Sequence, residues 1–230
     1  MCGRFVQHAD PEIYASRYAA ELDAGGLGDW RPSFNVAPTR PVLAIRVGKD
    51  GGRELTALRW GLIPSWSKGP DNRYSMINAR AETVATKPAY RDAFKHRRCL
   101  IPAEGFYEWT AGKDGKTPFL IQRADARPFA MAGLWERWRQ ADGELLESCT
   151  IIVTDANSLV RDIHDRMPVI LNDRDIGAWL DPENEDAEEL LAMLKPADPA
   201  ALAMHEVSRQ VNSPRNDGPE LLAAVNGDGS

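Results

Sequence analysis

Two pairs of strand-like segments, each closed by a glycine-rich turn, limit most strongly how this chain can fold. VLAIRV (42–47) and ELTALRW (54–60) flank GKDGGR, and EGFYEWT (104–110) and PFLIQR (118–123) flank AGKDGKT. Apolar runs joined by Gly/Asp turns predict β-hairpins, because glycine accepts the positive φ that a tight reversal needs. PFAMAGLWE (128–136), SCTIIVT (148–154) and MPVIL (167–171) are further β-rich runs. The first helix is expected from Asp10, with Pro11 in its first turn and Tyr14, Tyr18 and Leu22 along one face, ending at the glycine-rich stretch 24–28. Shorter helices are expected at 88–96, opened by Pro88, and at 174–180 and 186–195. Strands in series with helices at intervals read as α+β around a largely antiparallel sheet or barrel. Regular strand–helix alternation and a glycine-rich phosphate loop are both missing, which argues against a Rossmann or P-loop enzyme.

The chain's 230 residues suit one domain or two small ones, and 43 % apolar with 27 % charged residues is ordinary globular composition. No apolar run of ~18 residues occurs, so no membrane span is expected. The opening MCGRFVQHADPE lacks a secretory signal and points to the cytoplasm. Cys2, Cys99 and Cys149 are odd in number and lack metal-ligand spacing, which indicates neither a disulfide framework nor a zinc site. Net charge is −6, but residues 181–230 hold 11 acidic and 3 basic residues, leaving residues 1–180 at +2. Lys87 to Arg98 contains five basic residues against one Asp. Local phosphate contacts are therefore compatible with the acidic total, although the same run also fits a solvated helix face.

A few residues stand out chemically. Cys2 alone reads as a chance cysteine. Loss of Met1, however, would leave a free α-amine and a thiol on adjacent carbons. Such a 1,2-aminothiol forms a Schiff base with an aldehyde and then closes a five-membered thiazolidine ring, which no internal cysteine can do. Glu108 in GFYEWT shares a strand face with Phe106, opposite Tyr107 and Trp109; it is either an exposed edge carboxylate or a desolvated one titrating near neutrality. His164 precedes an apolar strand and has Asp162 and Asp165 as neighbours, carboxylates expected to favour the imidazolium; the setting suits catalysis or an ordinary surface histidine. His8, His96 and His205 read as structural or solvated. Asn78 and Arg80 alternate onto one face of MINARAET, where an amide and a guanidinium suit an anionic or carbonyl-bearing ligand or merely solvent. Trp60 and Trp66 bracket WGLIPSW and serve either base stacking or core packing.

MCGRF, FNVAPT (34–39), RWGLIPSW (59–66), INARAET (77–83), CLIPAEGFYEW (99–109), VTDAN (153–157) and IHDRMPVIL (163–171) occur in that order. Together they resemble the SRAP family, the SOS-response-associated peptidase-like proteins. The resemblance runs from Met1 to about Leu222, where VNSPRNDGPEL resembles the family's closing segment. It implies a single α+β domain over residues 1–222 with a β-rich, barrel-like core and flanking helices, followed by a flexible tail at 223–230. It also implies a sensor of abasic sites in single-stranded DNA, an enzyme that removes its own Met1 by a self-processing peptidase activity and then cross-links through Cys2. Asn78, Glu108 and His164 would surround Cys2. Arg4, Asn35, Pro38, Trp60, Trp66, Arg80 and Arg166 would form the DNA-binding surface. No metal or cofactor is implied, and the expected state is a monomer in the cytoplasm, nucleoid-associated in a bacterium. In this scheme His164 protonates the ring oxygen of the closed sugar, Glu108 orients the Cys2 amine and moves protons, and Asn78 holds the Cys2 backbone or the sugar. The rival functions are a cysteine peptidase using Cys2, His164 and Glu108, and a non-covalent single-strand binder. A lyase outcome is a variant of the first reading.

Overall fold

The computed structural model describes residues 2–23, 25–69, 76–112 and 115–225. In chain order its strands are β1 (Phe5–Gln7), β2 (Glu21–Leu22), β3 (Ser33–Val36), β4 (Pro41–Val47), β5 (Arg53–Trp60), β6 (Asn78–Arg80), β7 (Arg98–Ala103), β8 (Gly105–Gly112), β9 (Gly115–Arg123), β10 (Phe129–Arg139), β11 (Leu145–Asp155), β12 (Arg166–Pro168) and β13 (Leu202–Glu206). The α-helices are α1 (Pro11–Tyr18), α2 (Arg91–His96), α3 (Ile176–Leu180) and α4 (Ala187–Ala192). Both expected hairpins form, as β4–β5 and β8–β9. Residues 113–114, within the second turn, lie outside the described residues, as do Met1 and the end of the expected tail at 226–230.

β5, β4, β7, β10 and β11 pair in succession, and a parallel contact of β11 with β5 (Ser148↔Arg59, Cys149↔Trp60) closes the ring into a five-stranded barrel. Side chains alternate about its wall. Ala44, Leu58, Trp60, Cys99, Ile101, Met131, Cys149 and Ile151 share one apolar cluster, which continues to Phe5 and Phe106. The alternate residues Leu43, Ile45, Leu100, Ala132 and Ile152 pack instead with α1, α2 and α3. Gly133 leaves little room inside: a Cβ there would stand 3.0 Å from Cys99 Sγ and 3.1 Å from Ile101 Cδ1, tighter than ordinary contact. A second sheet, ordered β13-β9-β8-β1-β3, shares that first cluster through β1 and β8.

The helices are shorter than their sequence pattern. Asp10 caps α1 by accepting from Glu12 N at 2.9 Å, but Ala19 takes a left-handed conformation (φ 50°) and ends it before the glycine run. Leu22 consequently lies on β2, exposed, beside β5. Pro88 sits among turns, so α2 starts only at Arg91. Residues 173–175 form a 3₁₀ turn before α3, and α4 ends at Ala192. Ala224 bridges Val207, and Val225 N donates to Glu206 O at 2.9 Å. Among the described residues no helix is long and apolar enough to cross a membrane.

Candidate active site

The residues leading into β1 continue its pairing with β8, since Tyr107 N donates to Arg4 O at 3.0 Å. This antiparallel register carries Cys2 towards Glu108. From the barrel side, β6 runs parallel to β11 (Ile151↔Asn78), and Asn78 Nδ2 donates to Cys2 O at 2.8 Å. Tyr90 Oη donates to Asn78 O at 3.2 Å, holding the strand that delivers the amide. The Cys2 thiol is wholly buried. Burial, assisted by the charge of Glu108, pushes its pKa well above the ordinary thiol range.

Glu108 is 2 % exposed, on the strand face it shares with Phe106. Burial pushes its carboxyl from the ordinary value near 4.5 up to about 7, and the charge of Asp165 adds to the rise. At neutral pH such a group both gives and takes protons. His164 Nδ1 accepts from Arg166 N at 2.9 Å, so a neutral ring carries its proton on Nε2. Asp165 Oδ1 lies 3.0 Å from the same Nδ1 and is positioned to receive a proton there once the ring is charged. Burial lowers the histidine's pKa and favours the neutral form. Cys2, Asn78, Glu108 and the His164 loop thus belong to one constellation where the two sheets meet.

The surrounding residues divide by burial. Trp66 is 66 % exposed and Arg80 is exposed, while Pro38 and Arg4 are half-buried. Two expected DNA contacts need correction. Trp60 is wholly buried, packs edge-on against Phe5 at 5.0 Å and donates its indole N–H to Ile77 O at 3.0 Å; no base can stack on it without opening the core. Asn35 is also wholly buried, its amide donating to Val211 O, Ser213 O and Asn216 O at 2.9–3.2 Å and its Oδ1 accepting from Arg4 Nη1 at 2.7 Å. It ties the Arg4 segment to the closing segment of the chain. Arg166 Nη1 pairs with Glu82 and, at 3.3 Å, with Asp155. An open cavity of about 450 Å³ borders Gly3, Arg4, Trp109, Lys116 and Asn212.

The basic run supplies less free charge than its composition suggests. Arg98 is buried and donates to the carbonyls of Phe94, Lys95, Trp179, Asp181 and Asn184, tying α2 to α3. Arg97 pairs with Glu136 at 3.0 Å, whereas Lys87, Arg91 and Lys95 are exposed. His8 stacks on Phe34, His205 Nε2 contacts Leu222 O at 2.9 Å, and His96 is solvated beside Glu185. Cys99 and Cys149 are buried free thiols of the barrel cluster. Glu82, Tyr90, the Asp217 carboxylate and the Val211, Ser213 and Asn216 carbonyls are not legible in the sequence; nothing in a lone Glu, Tyr or Asp there marks the contact it makes. Among the described residues, no group of three or more His, Cys, Asp or Glu side chains could hold a metal ion.

Comparison with known proteins adds an independent line. The family model described as SOS response associated peptidase (SRAP) matches residues 1–214. The chain is 43 % identical to the abasic site processing protein YoqW of Bacillus subtilis, covering 96 % of this chain and 99 % of that one. It is 34 % identical to the abasic site processing protein YedK of Escherichia coli, covering 98 % and 100 %. It is 35 % identical to the abasic site processing protein HMCES of Xenopus tropicalis, covering 98 % and 78 %. A crystal structure of a Bacteroides thetaiotaomicron protein superposes with a TM-score of 0.87 at 28 % identity, covering 98 % of this chain and all of that one.

Proposed function

The chain belongs to the SOS response associated peptidase (SRAP) family, and from that premise we propose that it captures abasic sites in single-stranded DNA as a covalent adduct on Cys2. The observation that carries this reading is the placement of Cys2, its carbonyl held by Asn78 at 2.8 Å, beside a buried carboxyl that titrates near 7. The names of its relatives, abasic site processing proteins of bacteria and a vertebrate, point to the same substrate.

Once Met1 is removed, the Cys2 amine adds to the open-chain aldehyde, and the resulting carbinolamine loses water to give an imine. The thiol then adds to the imine carbon, forming a C–S bond. Its proton leaves through Glu108 and a proton returns to nitrogen, closing the thiazolidine. A thiol kept neutral by burial needs a nearby base for this step, and Glu108 provides one. His164 acts in its imidazolium form, which Asp165 faces at 3.0 Å: Nε2 gives its proton to the sugar ring oxygen as the anomeric hydroxyl loses its own to solvent, and the ring returns to the neutral state that burial favours. Asn78 fixes the Cys2 backbone, and Arg4, Pro38, Trp66, Arg80 and Arg166 meet the strand. Asn35 and Trp60 serve beneath them as scaffold. β-Elimination from the imine is the competing lyase outcome. The working unit is residues 1–222, acting as a monomer in the cytoplasm on nucleoid DNA and without a cofactor.

A cysteine peptidase is the weaker reading. Such an enzyme works through a thiolate stabilised by an imidazolium, whereas burial and Glu108 hold this thiol neutral. The test is incubation with an abasic single-stranded oligonucleotide followed by a heated denaturing gel. The protein with a free Cys2 amine gives a slow-migrating adduct, while a tag left ahead of Cys2 blocks it although the thiol survives. A normal adduct from the tagged protein would show that the amine is not needed and the mechanism is wrong.

A further inference from the structure

Arg166 stands at the rim of the candidate site, its backbone N–H on His164 Nδ1 and its guanidinium only 19 % exposed. Both carboxylates that reach it do so at one nitrogen: Glu82 and Asp155 converge on Nη1. Glu82 follows directly on β6, the strand of Asn78 and Arg80, and Asp155 is the register partner of Arg166 across β11 and β12. The immediate group of Glu82, Asp155, Asp165 and Arg166 is therefore acidic overall, although it lies beside a surface read as meeting DNA phosphates. Asp155 and Asp165 are largely in water, at 73 % and 84 % exposure, where screening weakens them. Glu82 is the more enclosed carboxylate at 47 %, and Arg166 and Arg80 hold its carboxyl below the ordinary value against the opposing effect of burial. It is charged at neutral pH.

We propose that Glu82 is a resident counter-ion at Arg166 with which a DNA phosphate must compete, so that it weakens binding to undamaged single strands. This rests on the DNA-binding reading of the site. A phosphate and a carboxylate compete for the same guanidinium charge, and a phosphate brought to Arg166 meets the repulsion of Glu82 whichever donor of the fork it takes. Arg166 is thereby compensated when the protein is free and available only to a strand that other contacts already hold. Glutamine at position 82 keeps the acceptor oxygen and removes the charge.

The test measures dissociation constants for an intact single-stranded oligonucleotide, on which no cross-link can form. The parent, Glu82→Gln, Arg166→Gln and the double variant are compared at low and moderate salt. Glu82→Gln is expected to bind about 1.5-fold to fivefold more tightly, the range of a partly exposed ion pair. The gain is expected to vanish in the Arg166→Gln background and to shrink as salt rises. An equal gain in both backgrounds would mean a general charge effect and overturn the proposal. Weaker binding by Glu82→Gln would mean that Glu82 orients Arg166, and would overturn it as well. A parent that binds no DNA would instead remove the functional reading on which the inference stands.

Discussion

The two ends of the β4–β5 hairpin bury ionisable groups in opposite ways. Beside its 48–52 turn, Arg46 is 8 % exposed and lies over Trp135 at 4.2 Å. Its Nε meets Glu54 at 2.6 Å and its Nη2 meets Glu147 at 2.8 Å, while Glu147 also accepts from Arg137 at 2.7 Å. Burial there works against charge, yet the partners win: Arg46 is raised and Glu147 lowered, both towards their ionised forms. At the Trp60 end burial wins. Cys2 and Glu108 are raised and His164 is lowered, all towards neutrality. Paired charges make a structural clasp, and the larger cavity of about 610 Å³ opens beside Arg46, Arg137 and Glu147, which are already committed to each other. Neutral-biased groups that can still exchange a proton make a place for chemistry.

The largest expected effect falls on the thiols. Cys2→Ala should lose the heat-stable adduct altogether, while Cys149→Ala, in the barrel cluster, should keep it. An adduct of parental yield from Cys2→Ala would place the reacting atoms elsewhere and dissolve the contrast. Next, Glu108→Gln and His164→Ala should each slow cross-linking by ~10²–10⁴ while leaving affinity for an intact strand nearly unchanged, as loss of proton transfer does. A parental rate in single-turnover kinetics would remove that group from the proton path.

At the clasp the effect should appear in stability instead. Arg46→Met strands Glu54 and leaves Glu147 to Arg137 alone, and because Glu54 and Glu147 keep 30 % and 22 % exposure the cost should be about 2–3 kcal/mol, below that of a fully buried broken pair. Urea unfolding checks the loss, and the cross-linking rate of the folded fraction should be unaffected. The smallest effect separates the two ends by the sign of their pH dependence. With its native pKa raised to about 7, Glu108 contributes stability that is full below the unfolded value near 4.5 and lost as pH rises through 7. The parent should therefore lose roughly 2 kcal/mol more than Glu108→Gln between pH 5 and pH 8. Glu147, held low by Arg46 and Arg137 against burial, contributes stability above its unfolded pKa and loses it as pH falls. Matching slopes for Glu108→Gln and Glu147→Gln would erase the distinction.

Local chemistry explains which of these features the sequence discloses. Both hairpins are legible because strand alternation and turn glycines lie within a few residues of each other. Closure of the barrel is not, because Cys149↔Trp60 is a parallel contact between distant strands with no turn to announce it. Cys2 and Glu108 are conspicuous as residue types in unusual company. Arg98 and Arg46 are not, since a buried arginine differs from a solvated one only in the carbonyls and carboxylates that the fold brings to it. Trp60 and Asn35 mislead for the same reason: stacking rings and hydrogen-bonding amides suit either a ligand or the protein's own interior.

Arg4 donates to Val211 O at 3.1 Å, and Asn35 N reaches Asp217 Oδ1 at 3.1 Å, so the first residues of the chain are anchored by some of the last. This fixes an order of events during synthesis. At about 5–20 residues per second, the roughly two hundred intervening residues take on the order of ten seconds or longer to be made. Throughout that interval the leader into β1 has emerged but lacks its downstream anchors. Cys2 therefore rides at first on an open nascent chain, and it becomes enclosed only when translation has reached the segment that fastens it.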